Sequence, residues 1–308
     1  MQNRATLGII YLCSGILIFS LQDAVIKAVS GEYPLTQVVA TRCFVSAPIL
    51  FIMVHFEAGL GALVSREFWP LAGRAFLLLL AYTSYYMAFP ALPLADAVAL
   101  YFTVPLFTLA LAPFLLGEAI GWRRITAVSV GFVGVIVMLR PGAGLFEPAA
   151  LLSLFSALTY ALAMLFARRL GSEATATVMA FYQNGVYLVG ALAIAGFCHL
   201  TGIQHAAHKS LDFLVRPWVW PTTFDFLLIA SCGVIAAVAM TLLTNAYRIA
   251  KASVVTSFEY TGMLWAPLWG FLFFGEIPHL TTIAGAVLII AAGLFALSSP
   301  AARENKPA

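Results

Sequence analysis

The sequence predicts an all-α integral membrane protein with ten transmembrane helices. Three observations support this fold class: an apolar composition, ten apolar segments of membrane-spanning length, and an internal repeat. Of the 308 residues, 62% are hydrophobic and only 9% are charged, whereas soluble domains carry roughly 45–50% and about 25%. So few charges cannot cover a soluble surface, and disordered chains have the opposite composition. The lipid bilayer is therefore an expected partner of the chain, whose mean hydropathy is +0.98.

Ten segments are long enough to cross a membrane, which takes about 20 mostly apolar residues. The first segment lacks a small-residue cleavage site and another segment follows it at once, so it is predicted to be a helix rather than a signal peptide. The connections are short except for 199–223, which contains three histidines. Because no acidic partner or ligand spacing supports metal binding there, this connection is predicted to be a surface loop rather than a metal site. No metal or other cofactor is predicted. The ten segments are 7–29, 35–56, 70–90, 94–116, 123–139, 149–168, 175–198, 224–246, 250–274 and 281–298.

The distribution of basic residues predicts the orientation. If the N-terminus is cytoplasmic, eleven of the 16 Lys and Arg residues lie on the cytoplasmic side and four on the other side. The positive-inside rule then places both termini in the cytoplasm. The formal net charge of +3 is small and its basic residues are scattered, so the chain is not expected to bind nucleic acid.

An internal repeat relates the two halves of the chain. A shift of 158 residues aligns Gly117–Glu118 with Gly275–Glu276, and it places Thr281–Thr282 where the first half has Arg123–Arg124. Basic residues have thus changed ends between equivalent helices, as positive-inside selection requires of halves inserted upside down. Inverted repeats of this kind are typical of secondary transporters, with substrate bound near the midplane between the halves. The sequence therefore predicts two inverted five-helix repeats around a central cavity.

Three stretches resemble the ten-helix EamA-type members of the drug/metabolite transporter superfamily. They are "LPLADAVALYFTVPLFTLALAPFLLGEAIGWRRITAVSVGFVGVIVMLRPG", the opening "SLQDAVIKAVSGEYPLTQVVATRCF" and "SALTYALAMLFARRLG" in the sixth segment. The resemblance covers nearly the whole chain. It implies a first EamA repeat over 1–141, a second over 142–308, a bacterial inner membrane, and transport of small metabolites. Within the superfamily, the chain most resembles exporters of aromatic and other amino acids. Uptake carriers for S-adenosylmethionine are also similar, especially in the pattern of Asp23, Lys27 and Arg42.

Charged residues within the segments are candidates for function, because a charge deep in a bilayer is costly. Glu259 lies about nine residues into the ninth segment, which at ~1.5 Å per residue places it near the midplane. We expect it to bind a substrate amino group or a coupling proton, or else to be a protonated carboxyl group bonded within the bundle. Asp23 and Arg42 have similar depths on adjacent segments, and Asp23 shares a helix face with Lys27. Asp23 and Arg42 are predicted to form a structural ion pair, or alternatively a gating pair or a clamp for a substrate carboxylate.

Aromatic and amide side chains complete the predicted substrate-binding site. Such side chains can stack on planar substrates and offer hydrogen bonds, although helix packing and interfacial anchoring are the alternative for each. The four glycines Gly131, Gly134, Gly285 and Gly293 are predicted to allow close helix packing. The remaining substrate-binding candidates are Tyr82, Tyr86, Tyr101, Tyr160, Asn184, Tyr260 and Trp265.

The inverted repeat predicts a secondary transporter that works by alternating access, and the resemblance implies that its substrates are exported aromatic and other neutral amino acids. The alternative is uptake or exchange of S-adenosylmethionine or another metabolite. The sequence has no G-x-x-x-x-G-K-[ST] motif for an ATP motor. It also lacks H-E-x-x-H and G-x-S-x-G, so a membrane-embedded enzyme is not expected. A passive channel fits an inverted repeat less well than a carrier does. The expected partner besides lipid is a small molecule, and a monomer is compatible with this function.

Overall fold

Helices without strands make up the described part of the chain, which in this computed structural model comprises residues 2–64, 68–116, 122–139, 147–170, 175–249 and 256–297. Helices suit a bilayer because each one satisfies its own backbone hydrogen bonds. The helices are α1 Gln2–Val29, α2 Leu35–Glu57, α3 Phe68–Ala88, α4 Leu94–Tyr101, α5 Val104–Leu116, α6 Trp122–Leu139, α7 Ala149–Leu170, α8 Ala176–Thr201, α9 Lys209–Val215, α10 Thr223–Ile249, α11 Gly262–Phe274 and α12 Leu280–Leu297, with 3-10 turns at Leu60–Leu63 and Thr256–Thr261.

The predicted segments coincide with helices wherever the structure describes them, although the ends differ by a few residues. Within the described ranges, five helical segments are long and apolar enough to cross a membrane, and four further apolar helices are shorter. The chain is thus a helical protein with the character of a multi-pass membrane protein. The five long segments are Thr6–Val29, Leu35–Glu57, Leu94–Leu115, Ala149–Phe166 and Thr177–Thr201.

Two of the predicted segments are interrupted rather than continuous. The fourth breaks between α4 and α5, because the ring of Pro105 would clash with the carbonyl group of Tyr101 if the helix continued. In the ninth, the 3-10 turn Thr256–Thr261 precedes α11, and residues 250–255 lie outside the described part. The shift of 158 residues places Val104, where α5 begins, on Gly262, where α11 begins. The two interruptions therefore occupy equivalent positions in the repeat.

The packing of the helices follows the same repeat. α1 packs along α10 as α3 packs along α7, and α2 contacts α10 as α8 contacts α3. The pairs α2–α8 and α6–α12 also pack together. If the first five predicted segments are exchanged with the last five, each of these pairs is replaced by another pair of the same set or by itself. The pattern of helix contacts is thus unchanged by the exchange.

Glycines allow two of these helix pairs to approach with their backbones in contact. A methyl group added to Gly134 of α6 would lie 2.8 Å from the carbonyl oxygen of Gly285 in α12, and one added to Gly285 would lie 2.6 Å from the Gly134 oxygen. On α10, a methyl group at Gly233 would lie 2.6 Å from the carbonyl oxygen of Arg42. The predicted packing role is therefore confirmed for Gly134 and Gly285.

The long connection folds back onto one end of the bundle, which we call the α9 end. The α9 end comprises α9, the C-terminal ends of α1, α3 and α8, and the N-terminal ends of α2, α7 and α10. Arg216 holds it in place by donating to the carbonyl oxygens of Gly31 and Ser30, the latter at 3.2 Å, and to Asp212 at 3.0 Å. Trp218 donates to Thr36 at 2.9 Å. The connection therefore covers the α1–α2 turn.

Acid should loosen this attachment. Burial raises the pKa of Asp212, but hydrogen bonds from the Ala206 N–H and from His205, together with the Arg216 charge, outweigh burial and hold the pKa below its ordinary 3.8. A depressed pKa stabilises the fold above the ordinary value and ceases to do so as pH falls through the depressed one. We expect the thermal stability of the protein to exceed that of Asp212→Asn at pH 6, and the difference to shrink below about pH 4. A constant difference over this range would contradict the role of the carboxylate.

Candidate functional site

Tyrosines from four helices meet in the interior of the bundle. Tyr82 of α3 lies against Tyr160 of α7 and Tyr187 of α8, with ring centroids 6.1 and 5.8 Å apart, and Tyr101 of α4 lies 5.7 Å from Tyr160. Tyr82 also contacts Tyr86, with centroids 6.0 Å apart. The pairs of Tyr160 with Tyr82 and with Tyr101 have the edge-to-face geometry that aromatic rings favour, and the other two pairs are tilted. Four predicted substrate-binding residues, Tyr82, Tyr86, Tyr101 and Tyr160, thus belong to one cluster.

A central cavity of about 120 Å³ borders this cluster, between α1, α2, α3, α7, α8 and α10. On α3 the lining residues recur every four positions, so one helix face points into the cavity. The lining lies from the middle of the bundle toward the end opposite α9. Its polar and aromatic members are Arg42, Ser46, Arg74, Tyr82, Tyr160, Gln183, Asn184 and Tyr187.

Arg42 is the most buried charge in this wall, with 7% of its surface exposed. Its guanidinium lies 5.6 Å from the ring centre of Tyr187, and Nη1 is 3.5 Å from the Tyr86 hydroxyl. In the orientation that satisfies both ends of the Gln22 amide, the amide oxygen accepts from Arg42 at 3.1 Å and its nitrogen donates to the Cys232 carbonyl oxygen. Neutral groups therefore surround the Arg42 guanidinium, and its Nε has no hydrogen-bond partner within the described part of the chain.

No direct salt bridge joins the described side chains of Asp23 and Arg42, although their charges interact through space. Asp23 accepts a hydrogen bond from the Tyr85 hydroxyl at 2.9 Å, and no described contact joins it to Arg42. Two neighbouring tyrosines of α3 contact the two charged groups: Tyr85 bonds to Asp23 and Tyr86 contacts Arg42.

Lys27, the third member of the predicted charged group, pairs with Glu276 rather than with Asp23. Its Nζ lies 2.5 Å from Glu276 Oε1 and donates to the Leu92 carbonyl oxygen at 2.7 Å. The second carboxylate oxygen accepts from the backbone N–H of Leu94, the first residue of α4, at 2.8 Å. A carboxylate is favourable there because a helix N-terminus carries partial positive charge. One contact group thus joins α1, the α3–α4 turn and the α11–α12 turn at the α9 end.

Three other predicted site residues have described side chains, and of these Asn184 lines the cavity whereas Tyr260 and Trp265 do not. Asn184 lines the cavity, but its amide also accepts from Ser46 at 2.6 Å and donates to the Cys43 carbonyl oxygen at 3.0 Å, which fixes α8 to α2. Tyr260 packs on Phe102, with ring centroids 6.1 Å apart, and Trp265 stacks on Trp269 at 6.4 Å. Neither Tyr260 nor Trp265 is among the residues that line the cavity.

Glu259 belongs to the 3-10 turn Thr256–Thr261, and its side chain lies outside the described part of the structure. Among the described residues, no group of three or more His, Cys, Asp and Glu side chains could hold a metal ion.

Arg74 is the cavity residue that sequence reasoning missed, because it was counted only among the basic residues that set orientation. Arg74, Leu78 and Tyr82 all line the cavity and are spaced four residues apart on α3. Residues four apart share a helix face, so a cation eight residues before a predicted site tyrosine was the available signal. The α8 residues Gln183 and Tyr187 complete the wall in the same way, since Gln183 donates to the Tyr187 hydroxyl at 3.0 Å.

Comparison with known protein families and proteins identifies relatives of this chain. The EamA-like transporter family matches residues 6–140 and again 147–298. The S-adenosylmethionine uptake transporter of Rickettsia prowazekii is 27% identical over 95% of this chain and 92% of its own. The riboflavin transporter of Rhizobium johnstonii is 29% identical over 99% and 96%, and the pseudopaline exporter CntI of Pseudomonas aeruginosa is 26% identical over 89% and 90%.

A protein of known crystal structure has the same fold. It superposes with a TM-score of 0.62, covering 97% of this chain and 99% of its own at 19% identity.

Proposed function

Because this chain belongs to the EamA-like transporter family of the drug/metabolite transporter superfamily, we propose that it is a secondary transporter that carries a small metabolite with an aromatic ring across the bacterial inner membrane. The observation that carries the proposal is the central cavity, where Tyr82, Tyr160 and Tyr187 present aromatic rings beside amide and guanidinium groups. Ring stacking with a few polar contacts is how small planar ligands are commonly held. Family and relatives alike are transporters rather than enzymes.

Alternating access between two inverted halves, 1–141 and 142–308, is the proposed mechanism. It is supported by the cavity lying between helices of both halves, by the interruptions at equivalent positions, and by the exchange symmetry of the helix contacts. Interrupted helices at a repeat interface are a recurring feature of transporter binding sites. The Lys27–Glu276 contact group and the Arg216 attachment join several helices at the α9 end, and we propose that they hold this end of the central cavity closed. With both termini cytoplasmic, the α9 end would face away from the cytoplasm.

The first candidate substrates are aromatic amino acids, which the protein would export. The second candidate substrate is S-adenosylmethionine. Both have a planar ring and a carboxylate. The second is favoured by the Rickettsia relative, which aligns over 95% of this chain. The cavity of about 120 Å³ is smaller than the ~300–1,000 Å³ typical of pockets for drug-sized ligands. An aromatic amino acid is closer to this volume than S-adenosylmethionine is, and binding of either one requires the cavity to widen.

Exchange assays in proteoliposomes test this proposal. The panel consists of phenylalanine, tryptophan, S-adenosylmethionine and riboflavin, and we expect saturable exchange of at least one member. Tyr160→Leu should lower the apparent affinity about tenfold, since base or ring stacking on an aromatic side chain contributes roughly 1–3 kcal/mol. Tyr182→Leu is the matched control, because Tyr182 lies outside the cavity lining and donates to the Leu63 carbonyl oxygen. No saturable exchange of any panel member would contradict the proposed function.

A further inference from the structure

Two arginines of the cavity wall form no direct ion pair with a described carboxylate. Arg42 is in direct contact with the neutral groups of Gln22, Tyr86 and the ring of Tyr187, and the Asp23 carboxylate interacts with it only through space. Arg74 forms no ion pair with a described carboxylate, and the Nε atoms of both arginines are buried without a hydrogen-bond partner. The nearest described acid on α1, Asp23, is bonded to Tyr85 instead. The wall therefore has two cations whose hydrogen-bonding capacity is incompletely used.

Such an arrangement is costly unless an anion completes it. A charge at membrane depth is expensive and usually faces a cavity or marks a functional site, and a buried cation without a partner is strongly unfavourable. The guanidinium group has five N–H donors in a rigid plane, which matches the two oxygens of a carboxylate. Because Arg42 and Arg74 line the same cavity, an anion within it can be shared between them.

We propose that Arg42 and Arg74 form an anion subsite that binds the carboxylate of the transported metabolite. This deepens the proposed function and rests on it. The tyrosine rings of the same wall then take the planar part of the molecule. Gln183 uses its amide nitrogen on Tyr187, and its carbonyl oxygen has no partner among the described residues, so it can accept from a substrate N–H group. The substrate class is a small aromatic metabolite with a carboxylate.

Binding of a single-ring carboxylate tests the subsite without transport. The probe is benzoate, compared with benzamide, which has nearly the same shape and no charge, and with phenyl phosphate. We expect benzoate to raise the Tm of the purified full-length protein in a concentration-dependent manner, because a ligand that binds only the native state stabilises it. Benzamide should have little effect. Stabilisation by phenyl phosphate alone, or equal stabilisation by benzoate and benzamide, would overturn the carboxylate assignment.

Variants assign the effect to the two arginines. Arg42→Gln and Arg74→Gln should each weaken benzoate binding by about tenfold to a hundredfold, the usual range for a charge-assisted hydrogen bond. Lys209→Gln removes an exposed cation outside the central cavity, and should leave benzoate binding unchanged. Arg42→Lys keeps the charge without the planar group, and it provides an intermediate variant if loss of the buried charge prevents folding. Unchanged benzoate binding in folded Arg74→Gln and Arg42→Lys would overturn the proposal.

Transport then separates the two proposals. Exchange of phenylalanine is compared with that of phenylalaninamide in the same proteoliposomes, and we expect the carboxylate to be preferred by at least about tenfold. The preference should disappear in Arg74→Gln. Saturable exchange without any preference would leave the transporter standing and refute the anion subsite. Benzoate binding without exchange of any panel member would support the subsite and refute the proposed choice of substrates.

Discussion

Replacing Glu276 by Gln is expected to open the α9 end. The substitution keeps the shape of the side chain and an acceptor for the Leu94 N–H, but it removes the counter-ion that lies 2.5 Å from the Lys27 ammonium group. The two side chains are 10% and 24% exposed, which places the pair between surface and fully buried ion pairs. Its loss should cost about 2 kcal/mol. Under the proposed closure of the α9 end by this contact, the population opened there should rise about thirtyfold.

Thiol labelling measures this opening. Cys43 is fully buried beside Arg42, so a membrane-impermeant thiol reagent applied from the α9 side reaches it only when that end opens. With Cys13, Cys198 and Cys232 replaced by Ala, Glu276→Gln should label much faster than the parent. Glu32→Gln is the matched control, since Glu32 is exposed in the α1–α2 turn at the same end. Equal labelling in Glu276→Gln and its control would show that the ion pair does not hold the end closed.

Gly134→Leu is expected to destabilise the fold more than any other substitution considered for this protein. The added side chain would meet the backbone of α12, where the Gly285 carbonyl oxygen lies 2.8 Å from the position of the first added carbon. A backbone cannot rotate away as a side chain can, so α6 and α12 must separate. Overpacking of a well-packed interior typically costs 1–3 kcal/mol, and we expect about 3 kcal/mol here.

A second glycine provides the control for this prediction. Gly196 lies in α8, is exposed, and has no atom within 4 Å of the position where a side chain would start. Gly196→Leu therefore makes the same change in a helix without any clash. The Tm of the purified Gly134→Leu protein should fall by several degrees, whereas that of Gly196→Leu should stay near the parent value. Similar values for the two variants would mean that α6 and α12 do not need their close approach.

Helix positions could be predicted from the sequence because the bilayer imposes a single length and polarity on every spanning segment. Proline removes a helix hydrogen bond and clashes with the preceding turn, but its position alone does not predict a break. The chain is interrupted next to Pro105, whereas Pro48, Pro113 and Pro267 lie inside α2, α5 and α11.

The partner of Lys27 could not be predicted from the sequence either. Local spacing favours Asp23, four residues away, but the actual partner, Glu276, is supplied by the α11–α12 turn. Such a choice depends on tertiary geometry that no local pattern contains.

Only part of the site could be predicted, because its remaining features also depend on tertiary geometry. Tyrosines on α3, α4 and α7 could be recognised as a group, and the structure brings Tyr82, Tyr101 and Tyr160 together. Which of them face the cavity depends on how each helix is rotated, and that rotation is set by neighbours such as Gly233, which seats α10 against α2. The sequence groups Trp265 with the aromatic side chains that can stack on a substrate, whereas the structure stacks it on Trp269.

The exchange symmetry of the helix contacts bears on the energetics of the transport cycle. If both halves had identical sequences, exchanging the halves would convert the conformation open to one side into the conformation open to the other. The two conformations would then contain the same contacts and have equal free energies. The resting bias of the carrier must then come entirely from positions where the halves differ. One such position has Tyr101 in the first half and Glu259 in the second. Making these two positions alike would remove one of the differences between the halves. Under the proposed mechanism, this change would shift the equilibrium between the two conformations and so alter the balance of inward and outward flux.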